Sequence, residues 1–252
     1  MSALTIVGLA LFGVFLGAVV GMTAIGNGLL GIPVLILLGV GKYVAVGTVG
    51  FAGVFMMASG AYRHHKNGNV DMRISLWFLV ASVPMSFFSA AFKESVNAVI
   101  DLTYIIAIAI FLSIGVMLDR TIRVRSEPEA ESPPPRIGVV PILLIGLAMG
   151  FLIGTTSISG SLIFIAFVLA LRMSDHRAVG TTNFVAIFSL ASASVAHIAH
   201  GQVDWPLFAV FTPAVMLGAY IGAQLTHVLP RVWLRLSVLT LLLAAGVSLL
   251  VK

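Results

Sequence analysis

The sequence predicts an all-α polytopic membrane protein made of two inverted-topology repeats, each of about five helical segments. Three observations predict it. Of 252 residues, 60% are hydrophobic and 9% charged, with a mean hydropathy of +1.12; a soluble domain carries about 25% charged residues. Apolar stretches of about 17–25 residues, each able to cross about 30 Å of hydrocarbon, follow one another with little between them, which excludes a single-span anchor and a β-barrel. The chain also repeats itself: Ala45-Val46-Gly47-Thr48 recurs as Ala178-Val179-Gly180-Thr181, an offset of 133 that holds without a gap for at least 59 positions. It carries Gly13, Gly17 and Gly21 onto Gly146, Gly150 and Gly154, and His64, Gly68, Val70 and Asp71 onto His197, Gly201, Val203 and Asp204. Apolar composition alone gives scattered Leu and Val matches, not matched Gly, Thr, His and Asp in one register.

In the first repeat, residues 1–118, the segments are Leu4–Val20, Ile25–Val40, Val44–Tyr62, Ile74–Phe92 and Val99–Leu118. The opening stretch, Met1–Gly21, has no basic region before its apolar run and is expected to be a mature helix rather than a cleaved signal. Between the repeats, residues 119–136 hold Ser126-Glu127-Pro128-Glu129 and Pro133-Pro134-Pro135, which makes them a solvated linker without helix. The second repeat, residues 137–252, reads as Ile137–Ile153, Ile158–Leu171, Ala178–Ala199, Leu207–Leu225 and Val232–Val251.

Loop charge sets the orientation. With all ten segments crossing, 11 of the Lys and Arg residues fall on one side and three, Lys42, Lys93 and Lys252, on the other. The positive-inside rule then favours an odd number of crossings per repeat, met equally by five spans or by three spans plus a re-entrant hairpin. Either way the linker is cytoplasmic, both termini are outside, and the repeats are inverted, a plan in which transporters bind substrate near the midplane between broken helices. The +5 charge is thus a matter of topology rather than of nucleic-acid binding. With no extramembrane stretch longer than about 20 residues there is no separate soluble catalytic domain, and with no cysteine there are no disulfides, thiolate metal sites or Cys nucleophiles.

Glycine and small polar residues break the apolar run at two equivalent places, residues 21–28 and 154–161. Non-helical backbone at membrane depth survives only when buried in protein or lining a wet cavity. A new helix begins near Asn27 and another near Ser159, so backbone N–H groups and the positive ends of two helix dipoles favour an anion there. The candidate substrate-binding residues are Gly26, Asn27 and Gly28 with Ser157, Ser159, Gly160 and Ser161, joined from the facing helices by Thr48, Thr181 and Asn183. The competing reading for Thr48 and Thr181 is a hydroxyl satisfied on the preceding helical turn. The stripes Gly13-x-x-x-Gly17-x-x-x-Gly21 and Gly146-x-x-x-Gly150-x-x-x-Gly154 read as close helix packing. No Asp, Glu, Lys or Arg falls at the centre of a predicted span, whereas cation transporters usually place carboxylates there, so the solute is anionic or neutral. Asp101 sits near a helix start, where a carboxylate needs no functional explanation. His197 and His200 are candidates for proton coupling or external access.

At these residues the chain resembles the sulfite exporter TauE/SafE family, also called the toluene sulfonate uptake permease family. The resemblance rests on Gly26-Asn27-Gly28-x-x-Gly31-x-Pro33, on Ala45-Val46-Gly47-Thr48, on Gly68-Asn69-Val70-Asp71, and on a second copy of each. It spans nearly the whole chain. It implies inner-membrane carriage of sulfite, a sulfonate or a related organic sulfur oxyanion by alternating access, coupled to a proton or sodium gradient, with no enzyme activity, cofactor or resident metal. The lipid bilayer and the small anion are the expected partners, with a homodimer a candidate assembly. The family's Gly-Gly-Gly core stands here as Gly26-Asn27-Gly28 and Ser159-Gly160-Ser161, and Ala166 replaces a second proline matching Pro33. Two other functions compete: a passive anion channel, and an intramembrane serine hydrolase with Ser159 or Ser161 as nucleophile and His197 as base, although no glycine precedes Ser157-Ile158-Ser159-Gly160 in the manner of a Gly-x-Ser-Gly motif.

Overall fold

A computed structural model describes residues 3–23, 27–66, 68–123, 137–225, 239–240, 242–244 and 246–247. Among these the chain is helical, without strands: α1 (Ala3–Thr23), α2 (Gly28–Leu37), α3 (Lys42–Lys66), α4 (Met72–Ala91), α5 (Lys93–Val99), α6 (Leu102–Arg123), α7 (Val139–Thr156), α8 (Gly160–Leu169), α9 (Asp175–Ala199) and α10 (Trp205–Leu225). Shifted by 133, α3 falls on α9 end for end, and α1, α2 and α4 fall on α7, α8 and α10 within three residues at each end. Most of the expected segment Val232–Val251 lies outside the described residues; its described part includes Leu242, fully buried, and Gly246, packed against Ile110 and Phe111 of α6.

Three boundaries differ from the sequence reading, each for a local reason. The second segments are shorter than expected. α2 stops at Leu37 because Gly39 takes a left-handed φ of +91°, which lets its N–H reach the Ile36 carbonyl at 3.0 Å and the Val40 N–H reach that of Leu35 at 2.9 Å. In the other half Arg172, at the position of Gly39, adopts φ +50° and ends α8 in the same way, although a side chain there is disfavoured. At ten residues each, α2 and α8 rise only about 15 Å, half the hydrocarbon thickness. The fifth segment of the first half is two helices, bent by 87° between α5 and α6, because Asp101 starts a new helix by accepting the Thr103 N–H at 2.8 Å, while Asn97 Oδ1 accepts that of Leu102 at 2.9 Å. Finally, α6 continues to Arg123, into the stretch read as linker.

Among the described residues four helices are long and apolar enough to cross a membrane, namely α4, α7, α9 and α10, or five if the bent pair α5 and α6 is one span. Their outward faces carry apolar side chains at high exposure, such as Val80 at 62%, Val140 at 65% and Leu217 at 55%. In water such faces would aggregate; in a bilayer they meet lipid.

The packing is reciprocal. The first helix of each half lies on the fourth helix of the other, α1 on α10 and α7 on α4. Both seams run along the glycine stripes. A Cβ on Gly13 would lie 2.8 Å from Ala214 Cβ, and one on Gly17 or Gly21 would overlap the Val215 or Ala219 carbonyl. On Gly146 and Gly150 it would lie 2.7 Å from the Phe78 and Ser82 carbonyls, and on Gly154 it would overlap Ser86 and Ser89. Only glycine lets these backbones approach so closely. At the centre α3 and α9 run antiparallel, the start of each against the loop that follows the end of the other.

Candidate functional site

The two interruptions lie more than a hundred residues apart in the chain, yet they touch. After α7, Ser157 turns the backbone with φ +54°, its N–H donating to the Ile153 carbonyl at 2.7 Å, and the three residues Ser157–Ser159 pass buried into α8. Thr156 Oγ1 holds the turn by donating to the Leu152 carbonyl at 2.6 Å and accepting the Ile158 N–H at 3.2 Å. The first intrahelical bond of α8 runs from Ile163 N to the Ser159 carbonyl at 3.0 Å, so the N–H groups of Gly160, Ser161 and Leu162 have no acceptor within the helix. Against this turn lies the start of α2, where a Cβ on Gly28 would sit 2.8 Å from the Ser157 carbonyl and 3.1 Å from Ile158 Cα. On α3, Gly50 faces the Ser157 side chain directly. Asn27 precedes α2, 1% exposed, and its Nδ2 donates to the Val49 carbonyl at 3.1 Å, with its amide against Gly53. Two half-length helices, one from each half, thus begin at one crossing. Among the described residues Ser157 Oγ and Ser159 Oγ are buried there with no hydrogen-bond partner.

The other expected site residues are divided. Gly26 lies outside the described residues. Gly160 is the first residue of α8. Ser161 is buried and turned towards α6, where the Ser113 hydroxyl reaches its Oγ at 3.5 Å. Asn183 is half-buried on α9 at the position equivalent to Gly50. Thr48 and Thr181 are fully buried, and each hydroxyl accepts a backbone N–H from the other half, that of Asp204 and that of Asp71 respectively, both at 3.0 Å. The glycine before each threonine admits the loop: a Cβ on Gly47 would overlap the Gln202 carbonyl, and one on Gly180 the Asn69 carbonyl. Asp71 and Asp204 then cap α4 and α10 by accepting the N–H groups of Ile74 and Leu207 at 3.0 and 2.9 Å. The two motifs most evident in the self-comparison are therefore the two sides of one lock, made twice.

A second polar cluster lies one helical turn of α3 away from the Ser157 contact. His197 packs against Gly47, fully buried, with Nδ1 2.9 Å from Lys93 Nζ and 3.2 Å from Gln202 Oε1, while its Nε2 has no partner. Gln202 Nε2 donates to Glu94 Oε1 at 3.2 Å. His200, by contrast, is exposed at the end of α9, its Nδ1 2.8 Å from the Ala196 carbonyl of its own turn. The sequence reading took Lys93 as a loop charge and missed its burial; the available signal was its place directly after the apolar run of α4, on the side with few basic residues. Also missed was a serine seam between α4 and α9, where the Ser82 and Ser189 hydroxyls lie 2.9 Å apart and the Ser86 and Ser192 hydroxyls donate to the Ser189 and Val83 carbonyls at 2.9 and 2.7 Å.

Fold and site together define a class: a multi-pass helical membrane protein of two interlocked halves, with broken helices meeting at a buried polar crossing. The chain belongs to the sulfite exporter TauE/SafE family, whose model matches residues 9–249. Its relatives include three probable membrane transporter proteins of Bacillus subtilis strain 168. YdhB is 31% identical over 237 residues, covering 93% of this chain and 96% of the relative. YjnA is 28% identical over 262 residues, covering 97% and 99%, and YunE is 26% identical over 243 residues, covering 87% and 88%. No solved structure matches the chain. It is a membrane transporter of this family.

Proposed function

We propose that the protein is a secondary transporter of small anions, with sulfite, a sulfonate or a related organic sulfur oxyanion as substrate, and that it binds them at the crossing of the two interruptions. The observation that carries this reading is the pair of buried hydroxyls of Ser157 and Ser159, unpartnered among the described residues, set beside the first N–H groups of α8, which have no acceptor within the helix, and against the start of α2. An unsatisfied buried hydroxyl costs about 1–3 kcal/mol, and hydroxyl donors with the positive ends of two helix dipoles are matched by an oxyanion. In this reading Asn27, Gly28, Ser157, Ser159, Gly160 and Ser161 contact the substrate, with Gly26 and Asn183 at the same pocket, while Thr48 and Thr181 hold the loops that frame it.

The two halves have inverted topology in the inner membrane, with the linker cytoplasmic and both termini outside. α2 and α8 form re-entrant hairpins with the helices before them, and the repeats exchange roles to expose the site alternately to either side. The equal lengths of α3 and α9 and their antiparallel contact support this reading. A proton or sodium gradient drives the cycle. A serine hydrolase is disfavoured, since Ser159 Oγ has no partner and so no base in reach, and the His197 Nδ1 contacts are Lys93 and Gln202.

The test is uptake of labelled sulfite and small sulfonates into liposomes containing the purified chain. Saturable uptake is expected, abolished by Asn27→Leu and by Ser159→Leu. Normal uptake by both variants refutes the site, and uptake that rises linearly with concentration identifies a channel instead.

A further inference from the structure

Among the described residues Lys93 is a buried cation without an ion pair, the adjacent Glu94 being the carboxylate that acts on it. The Lys93 side chain is 0% exposed, and its ammonium lies 2.9 Å from His197 Nδ1, 3.4 Å from the Tyr43 carbonyl and 5.2 Å from the centre of the Tyr43 ring. An imidazole, a carbonyl and an aromatic face supply no negative charge. Among the described residues Lys93 forms no ion pair; the neighbouring carboxylate of Glu94 is exposed and accepts from Gln202 instead. A desolvated ammonium whose neighbouring carboxylate is exposed and outside ion-pair distance is costly, so a fold that keeps one at this place is suited to receiving an anion.

A second observation points the same way. His197 is also 0% exposed, and its Nε2 has no partner. In the tautomer whose Nδ1 accepts from the ammonium, Nε2 carries the hydrogen and is a donor; in the one whose Nδ1 donates to Gln202 Oε1, Nε2 is an acceptor, and an anion on Nε2 selects the first. The other titratable groups of the neighbourhood are Glu94 on α5, Tyr43 and Lys42 on α3 and His200 at the end of α9, and Lys42 is already paired with Asp101 at 3.3 Å. Gly47 faces His197, and Gly50, three residues on, faces Ser157. At 1.5 Å per residue the two contacts are about 4.5 Å apart along α3.

We propose that Lys93 and His197 form a second anion station beside the serine crossing, and that its single positive charge selects a monoanion over a dianion. The inference rests on the transporter reading above and adds the charge of the substrate to it. A dianion would carry one unmatched negative charge into a dry site, whereas a monoanion is balanced by the ammonium and takes up the Nε2–H as well.

Equilibrium binding to the purified full chain in detergent tests this, with methanesulfonate as the monoanion and sulfate as the dianion. Wild type is expected to bind methanesulfonate about tenfold or more tightly than sulfate, and Lys93→Gln to lose about tenfold or more in methanesulfonate affinity while eluting as a folded, monodisperse species. Lys93→Arg should keep the monoanion preference. Wild-type affinity in Lys93→Gln, or equal affinity of wild type for the two ions, overturns the proposal. Should Lys93→Gln fail to fold, His197→Leu, which removes the Nε2–H, decides by the same measurement: weakened binding supports the station and unchanged binding overturns it. The two readings fail separately. A wild type that binds methanesulfonate but does not move it into liposomes refutes the transporter and keeps the station; one that carries sulfate in preference keeps the transporter and refutes the station.

Discussion

Thr48→Val removes one hydroxyl from the junction between the halves and leaves its shape almost unchanged. That hydroxyl accepts the Asp204 N–H at 3.0 Å within a fully buried side chain. Without it the N–H has lost its acceptor at a half-buried position, a loss of about 1–3 kcal/mol. For a chain of this size each kcal/mol moves the melting temperature by about 2–4 °C, so the midpoint should fall by about 2–12 °C. Thr181→Val should do the same through Asp71, whose N–H it holds at 3.0 Å. Thr48 is near the start of α3, and the Asp71 lock lies beyond its end at Lys66, about 27 Å further along the helix. At that separation the double variant should lose the sum of the two single losses to within about 0.5 kcal/mol. Trp205 directly follows Asp204 and packs edge-on against Phe51 and Phe208, with ring centres 6.2 and 6.0 Å away, so tryptophan fluorescence during thermal unfolding in detergent reports this junction. Sulfite uptake is measured on the same preparations. A wild-type midpoint combined with lost uptake would refute the lock and return Thr48 to the substrate pocket.

Further predictions follow from the seams. Gly150→Leu places a Cβ 2.7 Å from the Ser82 carbonyl and 3.0 Å from Met85 Cβ, so α4 and α7 must separate, at a cost of about 1–3 kcal/mol or more; Gly8→Leu, with nothing within 4 Å, should leave the melting temperature unchanged or raise it slightly. Ser82→Ala and Ser189→Ala each strand a buried hydroxyl whose partner stood 2.9 Å away. The pair of changes together should cost less than the sum of the single ones, a coupling a double-mutant cycle in thermal unfolding reads directly.

Composition and periodicity settled most of the architecture. Residues that meet lipid on one side and protein on the other must be apolar nearly throughout, so the helical membrane character and the places of the two glycine-rich interruptions were legible in the string. The repeat was legible too, because a register of 133 is a property of the string. Segment ends were less so. Where α2 and α8 stop depends on a left-handed turn that Gly39 announces and Arg172 does not, and the break before α6 depends on the Asp101 and Asn97 side chains, which read in sequence only as an ordinary helix start.

By itself, then, the sequence determined that this is a helical membrane protein of two similar halves, and where each half is interrupted. Only the tertiary structure decided what the polar residues touch. Thr48 and Thr181 have the same neighbours in sequence as a pocket residue would, yet each hydroxyl accepts a backbone N–H from a loop of the opposite half. Lys93 follows an apolar helix as any interfacial lysine does, yet α3 and α9 close over it. Among the described residues Ser157 Oγ stays unpartnered because the side chain faces Gly50 of the other half, which offers it no polar group. The physical reason is the same in each case. Periodicity and composition report the solvent each helix face requires, whereas a hydrogen bond or an unpaired charge depends on which distant face is brought against it.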